Sequence, residues 1–156
     1  MRIIVMSDSH RNVANVRKIV EKHMEDGDLF LHLGDGERDF EAVMGDYPTL
    51  KSEHVCGNCD FYSFAPTLGV LKEDGKKIFF THGHIYNVKY GTEELIVAAQ
   101  SRHADIVLYG HTHIAKSEYD DGIYVINPGS CSGMGDTSYA ILDITKAGIA
   151  PVLVRL

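Results

Sequence analysis

Apolar and polar positions along this chain follow two periods in turn. Arg2 to Met6 is a short apolar run that predicts a buried strand. Val13, Val16, Ile19 and Val20 then recur at helical spacing, behind Asn12, whose side chain suits an N-cap. Asp28 to Leu33 returns to strand character and stops at Gly34-Asp35. Glu37 to Met44 predicts a short helix, and Lys51 to Cys56 a third strand that stops at Gly57-Asn58-Cys59-Asp60. The order β-α-β-α-β predicts a parallel, doubly wound sheet.

The second half changes style. Leu68 to Lys72 and Lys77 to Thr81 flank Glu73-Asp74-Gly75-Lys76, a hairpin signal. Thr92 opens a helix running to about His103, and Asp105 to Tyr109 predicts a strand before Gly110-His111. Two more hairpins are expected around Asp120-Asp121-Gly122 and Thr145-Lys146-Ala147-Gly148. Two sheets face to face with helices outside would use all of these elements, within one domain spanning 1–156.

Polar residues able to bind metal stand just past the predicted strand ends: Asp8 and His10, Asp35, Asn58, His82 and His84, His111 and His113. Ligand crevices of open α/β sheets lie at the carboxyl ends of strands. Within an extended segment, residues two apart point the same way, so Asp8 with His10, and His111 with His113, can each converge on one site. Imidazole nitrogen with carboxylate and amide oxygen suits manganese, iron, nickel or zinc. Such a set exceeds one tetrahedral ion and suffices for two ions sharing a carboxylate. The remaining histidines read otherwise. His23 is expected in solvent on a helix, His54 inside a strand, and His103 at a helix C-terminus. His32 is open between supporting the ligands and simple packing.

Composition narrows the function. The formal charge is −7 with no basic run, which disfavours bulk binding to nucleic acid or anionic membrane. No apolar run approaches the roughly 20 residues of a membrane span. The first carboxylate, Asp8, comes too early for a signal peptide, and three cysteines do not make a secreted disulfide framework, so the expected location is cytoplasmic. Cys56-x-x-Cys59 could be a redox pair, but Asp60-Phe61-Tyr62-Ser63-Phe64-Ala65-Pro66 follows it rather than a helix. Gly129 to Gly135 fits no nucleotide fingerprint and is expected to be a flexible loop near the site, with Cys131 a spare thiol.

In order, the motifs are Asp8-x-His10, Gly34-Asp35, Gly57-Asn58-Cys59-Asp60, His82-Gly83-His84 and Gly110-His111-Thr112-His113. This series resembles the calcineurin-like metallophosphoesterase superfamily over the whole chain, and in particular its small YfcE-like phosphodiesterase branch, which is related to the retromer scaffold subunit. The resemblance implies an α/β metallophosphoesterase fold, a four-layer α/β/β/α sandwich of two mixed sheets. It further implies a binuclear metal centre. Asp8, His10 and His113 would hold one ion, Asn58, His82 and His111 the other, and Asp35 would bridge them. Manganese is the first expectation, with nickel, iron, zinc or cobalt as alternatives. His84 would stand behind the ligands or face substrate, and Asp60 would orient Asn58 or residue 59, or cap the turn.

One position departs from the wider superfamily: Cys59 stands where a catalytic His is usual, as it does in the YfcE-like branch. The implied activity is hydrolysis of a small phosphodiester by a hydroxide bridging the two ions. A thiol is a weak proton donor, so monoesters should react slowly. Two divalent ions against Asp8, Asp35 and hydroxide leave the centre at +1, which attracts a phosphate ester despite the acidic chain. Arg11 could contact phosphate or stay in solvent. The alternative is a catalytically weak protein-interaction scaffold of the same fold. A homodimer or higher homo-oligomer is open.

Overall fold

A computed structural model describes residues 1–156. The elements in order are β1 (Arg2–Met6), α1 (Val13–His23), β2 (Leu29–His32), α2 (Glu37–Asp46), β3 (Ser52–His54), β4 (Leu68–Glu73), β5 (Lys76–Thr81), α3 (Glu93–Ser101), β6 (Ile106–Leu108), β7 (Lys116–Asp120), β8 (Ile123–Asn127), β9 (Ser138–Thr145) and β10 (Gly148–Arg155). They form two mixed five-stranded sheets, ordered β10-β9-β1-β2-β3 and β4-β5-β6-β8-β7.

Strand alternation sorts the layers. Ile3, Val5, Leu29 and Leu31 face inward and pack on Ile78, Phe80, Ile106, Leu108 and Ile126 of the other sheet. Their neighbours Ile4, Met6 and Phe30 face outward under Val16, Ile19 and Val20 of α1 and Phe40 and Val43 of α2. On the far side Phe79, Val107 and Val125 are covered by Leu95 and Ala99 of α3. Both faces of each sheet are thus apolar, giving an α/β/β/α sandwich.

The structure revises several details. β1, β2 and β3 are parallel as expected, but α1 and α2 share one face, so the sheet is not doubly wound. Its other face is covered by the second sheet instead of by helices. The helix after Thr92 ends at Ser101, Thr92 makes no side-chain cap bond, and His103 lies past the end at φ 53°. His23 is buried rather than solvated. It lies one helical step beyond Ile19 and Val20, on the apolar face of α1, and bonds Asp26 at 3.0 Å and the Tyr139 hydroxyl at 2.9 Å. The hairpin turns at Asp74-Gly75 and Asp121-Gly122 have positive φ at both residues, the twist a two-residue hairpin needs.

Candidate metal centre

The loops after five strands meet at one edge of the sandwich. Backbone bonds lace them together: the Asp8 amide donates to Gly34 O, the His10 amide to Asp35 O and the Gly110 amide to His82 O, each at 3.0 Å. The expected extended geometry does not hold. Asp8, His10, Asp35, His111 and His113 all have left-handed φ, between 45° and 67°. Left-handed turns, costly for residues with a Cβ, aim these side chains back across the strand ends.

Two clusters result. In the first, Asp8, His10 and His113 converge. His113 Nε2 lies 3.1 Å from Asp8 Oδ1 and 3.1 Å from His10 Nε2. In the second, Asp35, His82 and His111 converge, with His82 Nε2 3.4 Å from Asp35 Oδ2 and 3.1 Å from His111 Nδ1. Asp35 Oδ2 is also 3.9 Å from His10 Nε2, so this carboxylate stands between the clusters. Asp8 with His10 thus converges as the spacing suggested, whereas His111 and His113 part, one to each cluster, against the spacing and in line with the family resemblance.

Bonds behind these groups fix their orientation. His82 Nδ1 donates to Leu33 O at 2.8 Å, which leaves Nε2 free to coordinate. Asp8 Oδ2 accepts from Ser7 Oγ at 2.5 Å and from the His111 amide at 3.0 Å. Asp8 Oδ1 is buried with no aligned donor, a vacancy in its bonding that a cation would satisfy. Nitrogen and oxygen donors in two groups sharing one carboxylate fit a pair of borderline divalent ions.

The electrostatics agree with that chemistry. Burial alone would raise the Asp35 carboxyl, but its bond to His82 and the Cys59 amide hold it well below the usual carboxylate range. Burial opposes ionisation of Asp8 too, and His113 and His82 outweigh it. Burial and the charge of His82 push His111 down to about 4, keeping it a neutral donor.

The other expected residues are placed as follows. Asn58 is exposed, and its Nδ2 lies 3.3 Å from Cys59 Sγ. Cys59 donates its amide to Asp35 Oδ1 at 2.7 Å, and burial together with Asp35 raises its thiol to about 11. His84 begins a 3-10 turn (His84–Tyr86), its ring centroid 5.4 Å from that of His82. Asp60 does more than cap its turn. It accepts the amides of Asp35, Gly36, Glu37 and Gly57 at 2.7 to 3.1 Å, closing the N-terminus of α2. His32 is fully buried, accepts the Gly34 amide and stacks on Phe40; burial lowers it to about 4. His54 does more than pack in β3: its Nε2 stands 3.6 Å from Glu37 and from Glu41. Arg11 is exposed and held through its backbone amide by Asp39.

Sequence reasoning missed four supports. Asp39 accepts from Ser9 Oγ at 2.6 Å and the Arg11 amide at 2.8 Å, tying α2 to the β1 loop. Asn127 donates to Gly110 O at 2.9 Å and Thr112 Oγ1 at 3.0 Å, bracing the His111 turn. Ser130 Oγ donates to Asp8 O, and Cys131, a free thiol as expected, is buried against Ser7 O, so the start of the glycine-rich segment is packed, while Gly133 to Gly135 are exposed. The only sequence signal was a polar residue on a helix or after a strand, which is common without any role.

A two-sheet α/β/β/α sandwich with His and Asp clusters at its edge defines a class of proteins built to hold metal ions at the strand ends. The chain belongs to the calcineurin-like phosphoesterase superfamily, whose domain model matches residues 1–147. It is 31% identical to a phosphodiesterase of Methanocaldococcus jannaschii, covering 94% of this chain and 95% of that one. It is also 31% identical to the phosphodiesterase YfcE of Escherichia coli, over 92% of this chain and 88% of that one. Among solved structures, a conserved Streptococcus pneumoniae protein, itself only predicted to be a phosphoesterase, superposes with TM-score 0.86 at 30% identity, over 99% of this chain and 88% of that one. The zinc complex of Vps29 from Entamoeba histolytica shares the fold, with TM-score 0.78 at 21% identity over 99% of each chain.

Proposed function

We propose that this protein is a phosphodiesterase using two divalent ions, manganese first among the candidates, on a small phosphodiester. The observation that carries this reading is the pair of nitrogen and oxygen clusters joined at Asp35. Asp8, His10 and His113 would hold one ion, and His82, His111 and Asn58 the other, with Asp35 shared. Such ions supply positive charge for the phosphoryl oxygens and activate a water-derived nucleophile. The chain's own residues set the stage. The Leu33 carbonyl accepts from His82 Nδ1 and so turns Nε2 toward the site, and the Cys59 amide holds one oxygen of Asp35 so that the other faces both clusters. The Cys59 thiol, raised to about 11, is a weak proton donor. Diesters with good leaving groups should therefore react faster than monoesters. Three unpaired thiols suit a reducing compartment such as the cytoplasm. A scaffold role places no chemical demand on two converging clusters and is the less economical reading.

The test is hydrolysis of bis-p-nitrophenyl phosphate against p-nitrophenyl phosphate. Metal-stripped protein receives manganese, nickel, zinc or magnesium. Metal-dependent turnover that favours the diester is expected. Two bound ions without turnover on either ester would favour the scaffold.

A further inference from the structure

Outward from His10, Asp35 and Cys59 the surface opens into a cleft of about 940 Å³. One wall is the segment after Asp60, where Phe61 and Tyr62 are 73% and 93% exposed and Phe64 is fully exposed. Three neighbouring aromatic side chains in solvent cost hydration free energy that nothing within the chain offsets. Tyr62 moreover sits at φ 64°, a left-handed turn in the middle of this wall.

The polar groups of the cleft restrict what could lie there. Arginine ion pairs in this chain are made by Arg2, Arg17 and Arg155, which leaves Arg11 and Arg38 in the cleft unpaired. Of the carboxylates, Asp39 and Asp60 are already taken up by neighbouring donors. Glu37 and Glu41 stay open, meeting only His54 at 3.6 Å. Two arginines against the carboxylates of Asp35, Glu37, Asp39, Glu41 and Asp60 leave the cleft acidic. A second phosphate gains little there, while a neutral planar ring with N–H donors finds aromatic faces and carboxylate acceptors together.

We propose that this cleft is a stacking subsite for a nucleoside esterified to the phosphate bound at the metal centre. The inference rests on the phosphodiesterase reading for the position of the phosphate. Phe61, Tyr62 and Phe64 supply the stacking faces, and Glu37 and Glu41 accept from ring N–H groups. The subsite thus selects nucleoside diesters over alkyl diesters.

Two probes share one leaving group: thymidine 5′-p-nitrophenyl phosphate and methyl p-nitrophenyl phosphate. The metal-loaded protein should show kcat/KM about tenfold higher for the nucleoside ester, through KM. Calorimetric titration with thymidine 5′-monophosphate and methyl phosphate should show the same preference without turnover. Changing Phe61, Tyr62 and Phe64 together to Ser should bring both ratios to about one and leave methyl ester turnover intact. Exchanging only Tyr62→Phe should keep the preference. Equal binding of the two phosphates by the unaltered protein, or a preference that survives the triple change, overturns the proposal. So does a triple variant that turns from oligomer to monomer while the unaltered protein shows no nucleoside preference, since the aromatics would then be a subunit contact. A binding preference with no hydrolysis of either ester keeps the subsite and rejects the phosphodiesterase reading.

Discussion

The carboxylate of Asp60 accepts the backbone amide of Asp35 at 2.7 Å. The same two oxygens take the amides of Gly36, Glu37 and Gly57. One side chain therefore sets the turn that presents Asp35, caps α2 and anchors the β3 loop. Replacing Asp60 with Ala leaves four donors without this acceptor, and a loss of about 2–4 kcal/mol is expected. Denaturant midpoints in chelator would measure it, and unchanged stability would contradict this account. Manganese titration of the same variant should show weaker binding at both clusters.

The shared position of Asp35 separates the ligands into groups by stoichiometry. His113→Ala should retain one ion, and His111→Ala should also retain one. Asp35→Ala should weaken both. Metal content after dialysis reads this directly, and an Asp35→Ala protein still holding two tight ions would refute the sharing.

Gly57 packs against the same carboxylate. A Cβ built there would run into the Asp35 side chain and stand 2.5 Å from the Asp35 amide nitrogen. Gly57→Ala should therefore fold with a displaced Asp35 and lose about 10–100-fold in metal affinity, the usual scale for disturbing a ligand's support. Calorimetric metal titration checks it; an unaltered affinity would mean that the loop shifts freely.

His32 gives the metal-free protein a distinct acid response. Burial lowers its folded pKa to about 4, beneath the ordinary 6.5. Between those values the unfolded chain binds the proton and the folded chain does not, so stability falls as pH drops from 6.5 toward 4. The expected loss from this residue is about 2–3 kcal/mol. Asp8 and Asp35 have depressed values, so their contribution is present above pH 4 and lost below it. His82 and His113, raised by their carboxylate partners, work in the opposite sense and lose their contribution above pH 6.5. Urea unfolding at pH 7 and 4.5 should show a shallower fall for His32→Gln than for the parent. Equal falls would remove His32 as the source.

Cys59→His tests leaving-group assistance. An imidazole donates a proton near neutral pH far better than a thiol raised to about 11. Monoester hydrolysis should rise relative to diester hydrolysis by about tenfold or more. A constant ratio would show that residue 59 does not limit monoester turnover.

Much of this was legible along the chain because it is local. Strand alternation and the helical spacing of Val13, Val16, Ile19 and Val20 state which face is apolar, and that survives into the layers. The two Asp-Gly hairpins were legible for the same reason: the backbone twist is set by two adjacent residues. His23 shows the limit. Its burial follows from helical phase, yet its bond to Tyr139 joins residues 116 positions apart.

By itself, the sequence determined the elements, their order and the donors that stand at the strand ends, since period and residue chemistry act over a few neighbours. Spacing left the grouping of those donors open, the resemblance to the superfamily implied it, and the tertiary structure supplies the physical reason. Left-handed turns at Asp8, His10, Asp35, His111 and His113 send His111 to one cluster and His113 to the other. Those turns are unfavourable locally and persist because distant partners hold them: Asp39 from α2, Asp60 from the β3 loop, Asn127 at the end of β8 and Ser130 just past it. Contacts of that range cannot be read from the spacing along the chain.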